Sequence, residues 1–381
     1  MKFQVNRDTF SEAVSFAVKL LPQRTTLPIL SGVLIEAAET GLTLSSFDYE
    51  VSAQTEIAAD VAQPGTVLVS GRLLAEIASR LPNAPVNFSS DEGRISVTCG
   101  SAKFTLPGMP VDEYPTLPQV SEQSGILPAE AFASAIAQVA VAASRDDVTP
   151  VITGVQLEVT AGGLSLVATD RYRVAVREIE WSAGETASEG LTALVPARTL
   201  IEIGKTFGHS GSISVAITSS DERELIAFQA EKKTVTSLLI KGNFPPVKRL
   251  FPEVAENYAV INTAELIEAV RRVSLVLERE AALRFSFSAD GLTLEALGSE
   301  QAQASETIDA FLTGTDTVVS LKPSFLLDGL SAVHSEFVRI SFTKTDNPNK
   351  PGPVLITSQS SKDQPGADNY KYLLQPNLLL R

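Results

Sequence analysis

Apolar residues recur at helical spacing near the start of three long stretches of this chain. Phe10, Ala13, Val14, Ala17 and Val18 form the first stripe, Phe132, Ala135, Ile136, Val139 and Ala140 the second, and Leu266, Ala269, Val270 and Val273 the third. Spacing of i, i+3, i+4, i+7 collects residues on one helix face, so each stripe predicts a helix with one buried side. After each stripe the period shortens. Val155-Gln156-Leu157-Glu158-Val159 and Leu283-Arg284-Phe285-Ser286-Phe287 alternate apolar and polar residues, the signature of a half-buried strand. A turn follows at Glu39-Thr40-Gly41, Ala161-Gly162-Gly163 and Ala289-Asp290-Gly291, and each glycine opens a Gly-Leu-Thr/Ser-Leu segment. Glycine suits a hairpin turn because it takes positive φ without a Cβ clash.

The three glycines lie 122 and 128 residues apart. A second helical pattern comes later in each stretch, at Gly71–Ile77, Ala197–Ile203 and Pro323–Asp328. Alternating segments such as Ile213–Ile217 and Val338–Phe342 come after it. The chain thus reads as one helix–strands–helix–strands module used three times, an α+β fold. Its expected modules span residues 1–122, 126–251 and 256–381, with proline-rich joints at Tyr114–Pro118 and around Phe251-Pro252. Repeats this long exceed the roughly 20–50 residues of solenoid units. Polar stretches at 346–353 and 358–369 read as exposed loops.

Composition changes the picture in one respect. Hydrophobic residues make up 44% of the chain and charged residues 20%, ordinary for globular domains, but the net charge is −14. The charge is unevenly spread. Six windows around the helical patterns (7–24, 70–80, 128–145, 196–207, 264–280 and 321–336) hold 12 Lys/Arg and 11 Asp/Glu, while the rest of the chain holds 19 and 34. The whole negative surplus therefore lies outside the helices. A near-neutral to basic helical face on an acidic body would suit loose, sequence-independent contact with a polyanion. The alternative is that Arg72, Arg80, Arg198 and Lys205 are solvated helix residues, some in i, i+4 pairs such as Glu268 with Arg272.

Catalytic patterns are not found. His209 and His334 stand without a metal-binding or triad pattern, and there is no phosphate loop or nucleophile elbow. Neither Asp146-Asp147 nor the acidic run Ser219–Glu224 has metal-loop spacing. Cys99, the only cysteine, continues the apolar side of an alternating segment, so no intrachain disulfide or cysteine zinc site is expected. No cofactor, no metal and no catalytic residue is expected. The first residues carry no apolar signal region and no apolar run approaches the ~18 residues of a membrane span. A cytoplasmic protein is the expectation.

The most unusual local cluster is Asp170-Arg171-Tyr172-Arg173, after the apolar segment Leu164–Ala168. It reads either as a strand that continues with Tyr172 and Val174 packed and the arginines exposed, or as the rim of a protein-docking pocket. Tyrosine and arginine are frequent anchors at protein interfaces.

With these residues in view the chain resembles the bacterial sliding clamps, the β subunits of the replicative DNA polymerase III. Carriers of the resemblance are Met1-Lys2-Phe3, Arg24–Leu30, Ala168–Arg173, Gly242-Asn243-Phe244-Pro245 and Tyr372–Pro376, in order over nearly the whole length. The resemblance implies a head-to-tail homodimer whose six modules close a ring around double-stranded DNA, associated with the nucleoid. Heterologous contacts of this kind close into rings when the rotation permits. It implies phosphate-facing roles for Arg24, Arg72, Arg145 and Arg198. It also implies a partner-peptide groove, with Ile152, Thr169, Val174, Pro245, Leu250, Leu373 and Leu374 as its apolar floor and Arg171, Tyr172, Arg173 and Arg249 at its rim. The replicative polymerase, the clamp loader, repair polymerases and other proteins would insert short peptides there. The dimer seam would join Phe104 and Leu106 to Leu275 and Val276. Gln375 stands where the family usually has methionine, giving that wall of the groove a more polar character, and the tail Asn377–Arg381 is unlike the family's usual ending. A processivity factor without chemistry of its own is the leading expectation, and a multidomain interaction scaffold that does not encircle DNA is the alternative.

Overall fold

The computed structural model describes the chain except for residues 22–24, 26, 121–122, 185–188, 220–223, 253–254, 298–301, 345–350, 367–368 and 379–381. Its helices are α1 (Arg7–Lys19), α2 (Gly71–Ala78), α3 (Ala129–Ala140), α4 (Ala197–Phe207), α5 (Thr263–Val273) and α6 (Pro323–Ser331). The three opening stripes fall in α1, α3 and α5, and the later helical patterns in α2, α4 and α6.

Helix termini are set locally. The Asn6 side chain accepts from the backbone N–H groups of Asp8 and Thr9 and begins α1, and Asn262 does the same for Glu265 in α5. Each satisfies donors that the first helical turn leaves free. Lys19 ends α1 and Arg271 and Arg272 end α5, where positive charge meets the negative end of the helix dipole. Arg271, rather than Arg272, pairs with Glu268 at 2.7 Å, and Arg272 instead reaches Glu306 on a neighbouring strand.

The chain forms two compact units. One comprises Met1–Ala133, Trp181–Ser188 and Glu202–Leu239, the other Ser134–Glu180, Glu189–Ile201 and Ile240–Arg381. The first unit contains a five-stranded and a nine-stranded sheet. Phe3 and Phe88 stack in its core at 4.7 Å, beside Phe10, Val14, Ile35 and Leu44. The second unit contains a nine-stranded and a four-stranded sheet, and there Phe287 meets Phe342 edge-on at 4.9 Å. Among the described residues no helix is long and apolar enough to cross a membrane.

The repeat is visible in the hairpins. Gly41, Gly163 and Gly291 have φ of 136°, 142° and 127°, and each begins a strand paired with the one before it. A Cβ on these glycines would lie 2.4, 2.2 and 2.6 Å from the carbonyl oxygens of Ile57, Ile179 and Ile308. The same turn and the same steric exclusion thus recur in each module.

The succession of strand pairings is equally regular. The strand after the first glycine strand, Val51–Ile57, pairs antiparallel with Lys233–Leu238, the closing strand of the second repeat. Its counterpart in the second repeat, Arg173–Ile179, pairs with Lys371–Leu374, the closing strand of the third. Gln303–Ile308 is the counterpart in the third repeat and Ala102–Pro107 the closing strand of the first. Both lie at a sheet edge, and among the described residues each has a strand on one side only.

Tyr114 anchors the joint after the first repeat. Its hydroxyl accepts from the Phe47 backbone N–H at 2.7 Å and lies 3.4 Å from the Gly32 and Phe47 carbonyls. Burial pushes its pKa up to about 12, a lowering by the Phe47 hydrogen bond notwithstanding. The folded state therefore favours the neutral phenol. Its stabilising contribution is whole below pH ~10 and is lost as pH rises through about 12. Tyr114→Phe should cost about 1 kcal/mol, because the Phe47 N–H loses its partner, and should flatten the fall in stability between those pH values, read by urea unfolding at a series of pH. Gly163→Ala should cost about 1–3 kcal/mol by the same method, and its unfolding midpoint should drop without a change in urea sensitivity.

Candidate functional site

The cluster singled out in the sequence sits on a tight turn between two strands of the second unit. Asp170 Oδ1 accepts from the backbone N–H groups of Tyr172 (3.1 Å) and Arg173 (3.2 Å), and Arg171 between them has φ 80°. The Thr169 hydroxyl donates to the Arg173 carbonyl at 2.7 Å and accepts from Arg171 N. The turn breaks strand alternation, so Tyr172 is not packed as a continuing strand would have it and Arg173 is not exposed as either reading would have it. Tyr172 is 63% exposed, whereas Arg173, expected at the surface or rim, is 8% exposed.

Arg173 is buried because its charge is satisfied there. Its Nε pairs with Asp170 at 2.9 Å, and one terminal nitrogen reaches Asp328 on α6 at 2.5 Å and the Tyr372 hydroxyl at 3.1 Å. Its guanidinium lies 4.4 Å from the centre of the Phe325 ring. Burial alone would lower its pKa, but Tyr372, Asp328 and Asp170 outweigh that and hold it above its ordinary value. Burial likewise raises the pKa of the Tyr372 hydroxyl, with Arg173 opposing. A buried charge is tolerable only when paired and hydrogen-bonded in this way.

Two surfaces meet at this turn. One is a cleft of about 670 Å³ lined by Arg145, Ile152, Arg171, Tyr172, Arg173, Arg279, Lys322, Phe325 and Asp328, among others. The Tyr172 and Phe325 rings stack at 5.9 Å, and Arg171 reaches the Thr149 hydroxyl at 2.5 Å. The other is an apolar cluster of Val167, Val174 and Leu373, against which Phe244, Val247, Phe251 and Leu355 pack half-buried. Pro245 is half-buried beside them in sequence, Leu250 is 53% exposed and Arg249 is exposed.

Leu374 does not join this cluster. Paired residues on neighbouring strands project to the same face. Val174 pairs with Leu373, while Leu374 pairs with Arg173 and Val354 and is fully buried on the other face. Of the two leucines expected in the groove floor, only Leu373 shares a face with Val174. Gln375 ends the strand: its N–H donates to the Tyr172 carbonyl and its side-chain amide to the Pro351 carbonyl at 3.0 Å.

Comparison with known proteins places the whole chain in a family. Residues 1–118, 126–246 and 248–363 match the N-terminal, central and C-terminal domain models of the DNA polymerase III beta subunit. The chain belongs to the DNA polymerase III β-subunit family. It is 46% identical over 377 residues to the beta sliding clamp of Streptomyces coelicolor, with 99% of each chain covered. Solved structures agree over the full length of both chains: the polymerase beta subunit of Streptococcus pyogenes (26% identity, TM-score 0.89) and the polymerase sliding clamp of Bacillus subtilis (27%, 0.90).

The other expected β-subunit residues are placed as follows. Arg72 is almost fully exposed and faces Glu76 at 3.3 Å, an i, i+4 pair worth about 0.3–0.5 kcal/mol. Arg145 and Arg198 are exposed, and Arg24 lies outside the described residues. Leu106 is buried in the first unit's core with Phe104 packed half-buried against it, Val276 is half-buried, and Leu275 is 84% exposed in the turn after α5.

A feature that sequence reading missed is that the first repeat carries the same turn. Asp48 Oδ1 accepts from Glu50 N (2.9 Å) and Val51 N (2.7 Å), and Tyr49 has φ 74°. Its surroundings differ. Ser45, Ser52 and Thr236, all buried, stand where the second repeat has Val167, Val174 and Leu373. The shared aspartate at Asp48 and Asp170 was the signal available in the sequence. Leu374→Asp should cost several kcal/mol of stability, since it buries an unpaired carboxylate, whereas Leu250→Asp should stay within about 0.5 kcal/mol of the parent, both read by chemical denaturation.

Proposed function

We propose that this chain is a DNA sliding clamp. Two copies join head to tail into a ring around duplex DNA and hold the replicative polymerase and other DNA-processing proteins on their template. The reading rests on the succession of strand pairings. Each repeat offers the strand after its glycine strand to the closing strand of the next, and two edges, Gln303–Ile308 and Ala102–Pro107, are left over. Repeating the same pairing a third time requires a second copy of the chain, and a heterologous contact of this kind closes when its rotation permits. Exposed Leu275, with Val276, would meet Phe104 and Leu106 at that seam. The modules of such a ring are residues 1–122, 126–251 and 256–381.

Arg72, Arg145 and Arg198 would touch phosphates from the helical side, as Arg24 would by its place in the sequence. Contacts of this kind are electrostatic and independent of base sequence, which lets a ring travel along the duplex. Partner peptides of the polymerase, the clamp loader and repair polymerases would dock where Tyr172, Leu250, Arg171 and Arg249 border the Val174–Leu373 cluster. The apolar anchors of such peptides would carry most of the affinity. The protein would work by tethering, without chemistry of its own.

The test is topological. After loading onto a nicked plasmid, the protein should stay on the circle through gel filtration and leave once the plasmid is cut. Equal retention on both forms would overturn the reading. Leu275→Asp should sediment as a monomer and lose retention on the circle while unfolding at the same urea concentration as the parent.

A further inference from the structure

Asp328 pairs with Arg173, the buried arginine of the expected partner site. Arg173 receives Asp170 from its own turn, but Asp328 and Phe325 come to it from α6, 155 residues away in the case of the ion pair. Asp328 and Phe325 are three residues apart, so they share one face of α6. The Phe325 ring is occupied twice over, by the Arg173 guanidinium at 4.4 Å and by the Tyr172 ring at 5.9 Å. Tyr372 ties the same group down, since it accepts from Arg173 and donates to the Phe325 carbonyl at 2.6 Å.

We propose that Asp328 is a positioning residue of the partner site: through Arg173 it holds the turn against α6 and so keeps Tyr172 over Phe325. This rests on the reading of Tyr172 as part of that site. Tyr172 is 63% exposed and its ring touches Phe325, so its presentation depends on the backbone that carries it and on that helix. That backbone passes through Arg171 at φ 80°, the conformation Tyr49 adopts in the first repeat, where Val51 stands in place of Arg173, so Asp170 sets the shape of the turn and Arg173 sets its seat against α6. Asp170 accepts from both N–H groups that follow it, and Arg173 closes the loop by pairing back to Asp170. Asp328 is the carboxylate that anchors this closed loop to a helix. Its side chain is 43% exposed, so removing it exposes a charge on Arg173 to water without opening a core cavity. Loss of Asp328 should therefore loosen the turn more than it destabilises the fold.

A double-mutant cycle separates positioning from general damage. Binding of the full-length protein to immobilised polymerase III catalytic subunit is measured for the parent, Tyr172→Ala, Asp328→Ala and the double variant, with urea unfolding alongside. Tyr172→Ala should weaken binding about tenfold and Asp328→Ala about fivefold, and the double variant should be no more than about twofold weaker than Tyr172→Ala. Asp328→Asn, which keeps an acceptor for Arg173, should fall between the parent and Asp328→Ala. Parental affinity in Asp328→Ala, or a double variant whose loss is the product of the two single losses, would overturn the proposal and leave the partner site standing. If Tyr172→Ala binds like the parent, the site reading fails, and the proposal with it.

Discussion

The backbone edge of a β-strand governs this molecule. A strand at the margin of a sheet presents a row of N–H and C=O groups that must find water, a side chain or another strand. Here two such margins are answered in a fixed order, Val51–Ile57 by Lys233–Leu238 and Arg173–Ile179 by Lys371–Leu374. The nine-stranded sheets therefore do not belong to single repeats, and the compact units cut across the second repeat. The proposed head-to-tail assembly would extend to a second molecule a rule that the chain already follows twice within itself.

The paired aspartate turns show how repetition and function divide. A left-handed residue at Arg171 invites the inference that strain has been stored for a task. Tyr49, in the same conformation with the same two hydrogen bonds, shows instead that the turn is part of the repeated architecture. What distinguishes the second repeat is what lies beneath and beside the turn. Valines and a leucine replace two serines and a threonine, and a buried arginine stands where the first repeat has Val51. The turn supplies a shape, and the residues around it decide whether an apolar side chain from another protein has anywhere to go.

The helices and hairpins were legible because period and turn chemistry are local. Phe10, Ala13, Val14 and Ala17 point to one helix face whatever else the chain does, and Gly163 marks a turn by its lack of a side chain. The failures are equally physical. Tyr372, Leu373 and Leu374 are all apolar, so alternation carries no contrast, and only the pairing with Arg173 and Val174 reveals which leucine faces which way. Arg173 looked like a surface residue because the partners that make its burial tolerable, Asp328 and Tyr372, lie 155 and 199 residues further along. Charge satisfaction over such distances leaves no mark within a local window of sequence.

The hydroxyl-lined counterpart in the first repeat has a consequence for traffic. Had valine and leucine been kept at Ser45, Ser52 and Thr236, each chain would have offered two similar berths. With polar groups there instead, the proposed ring of two chains would offer one such berth per chain. Proteins that follow one another on the same DNA would then share two seats, and the order in which they act would become a matter of queueing as well as of affinity.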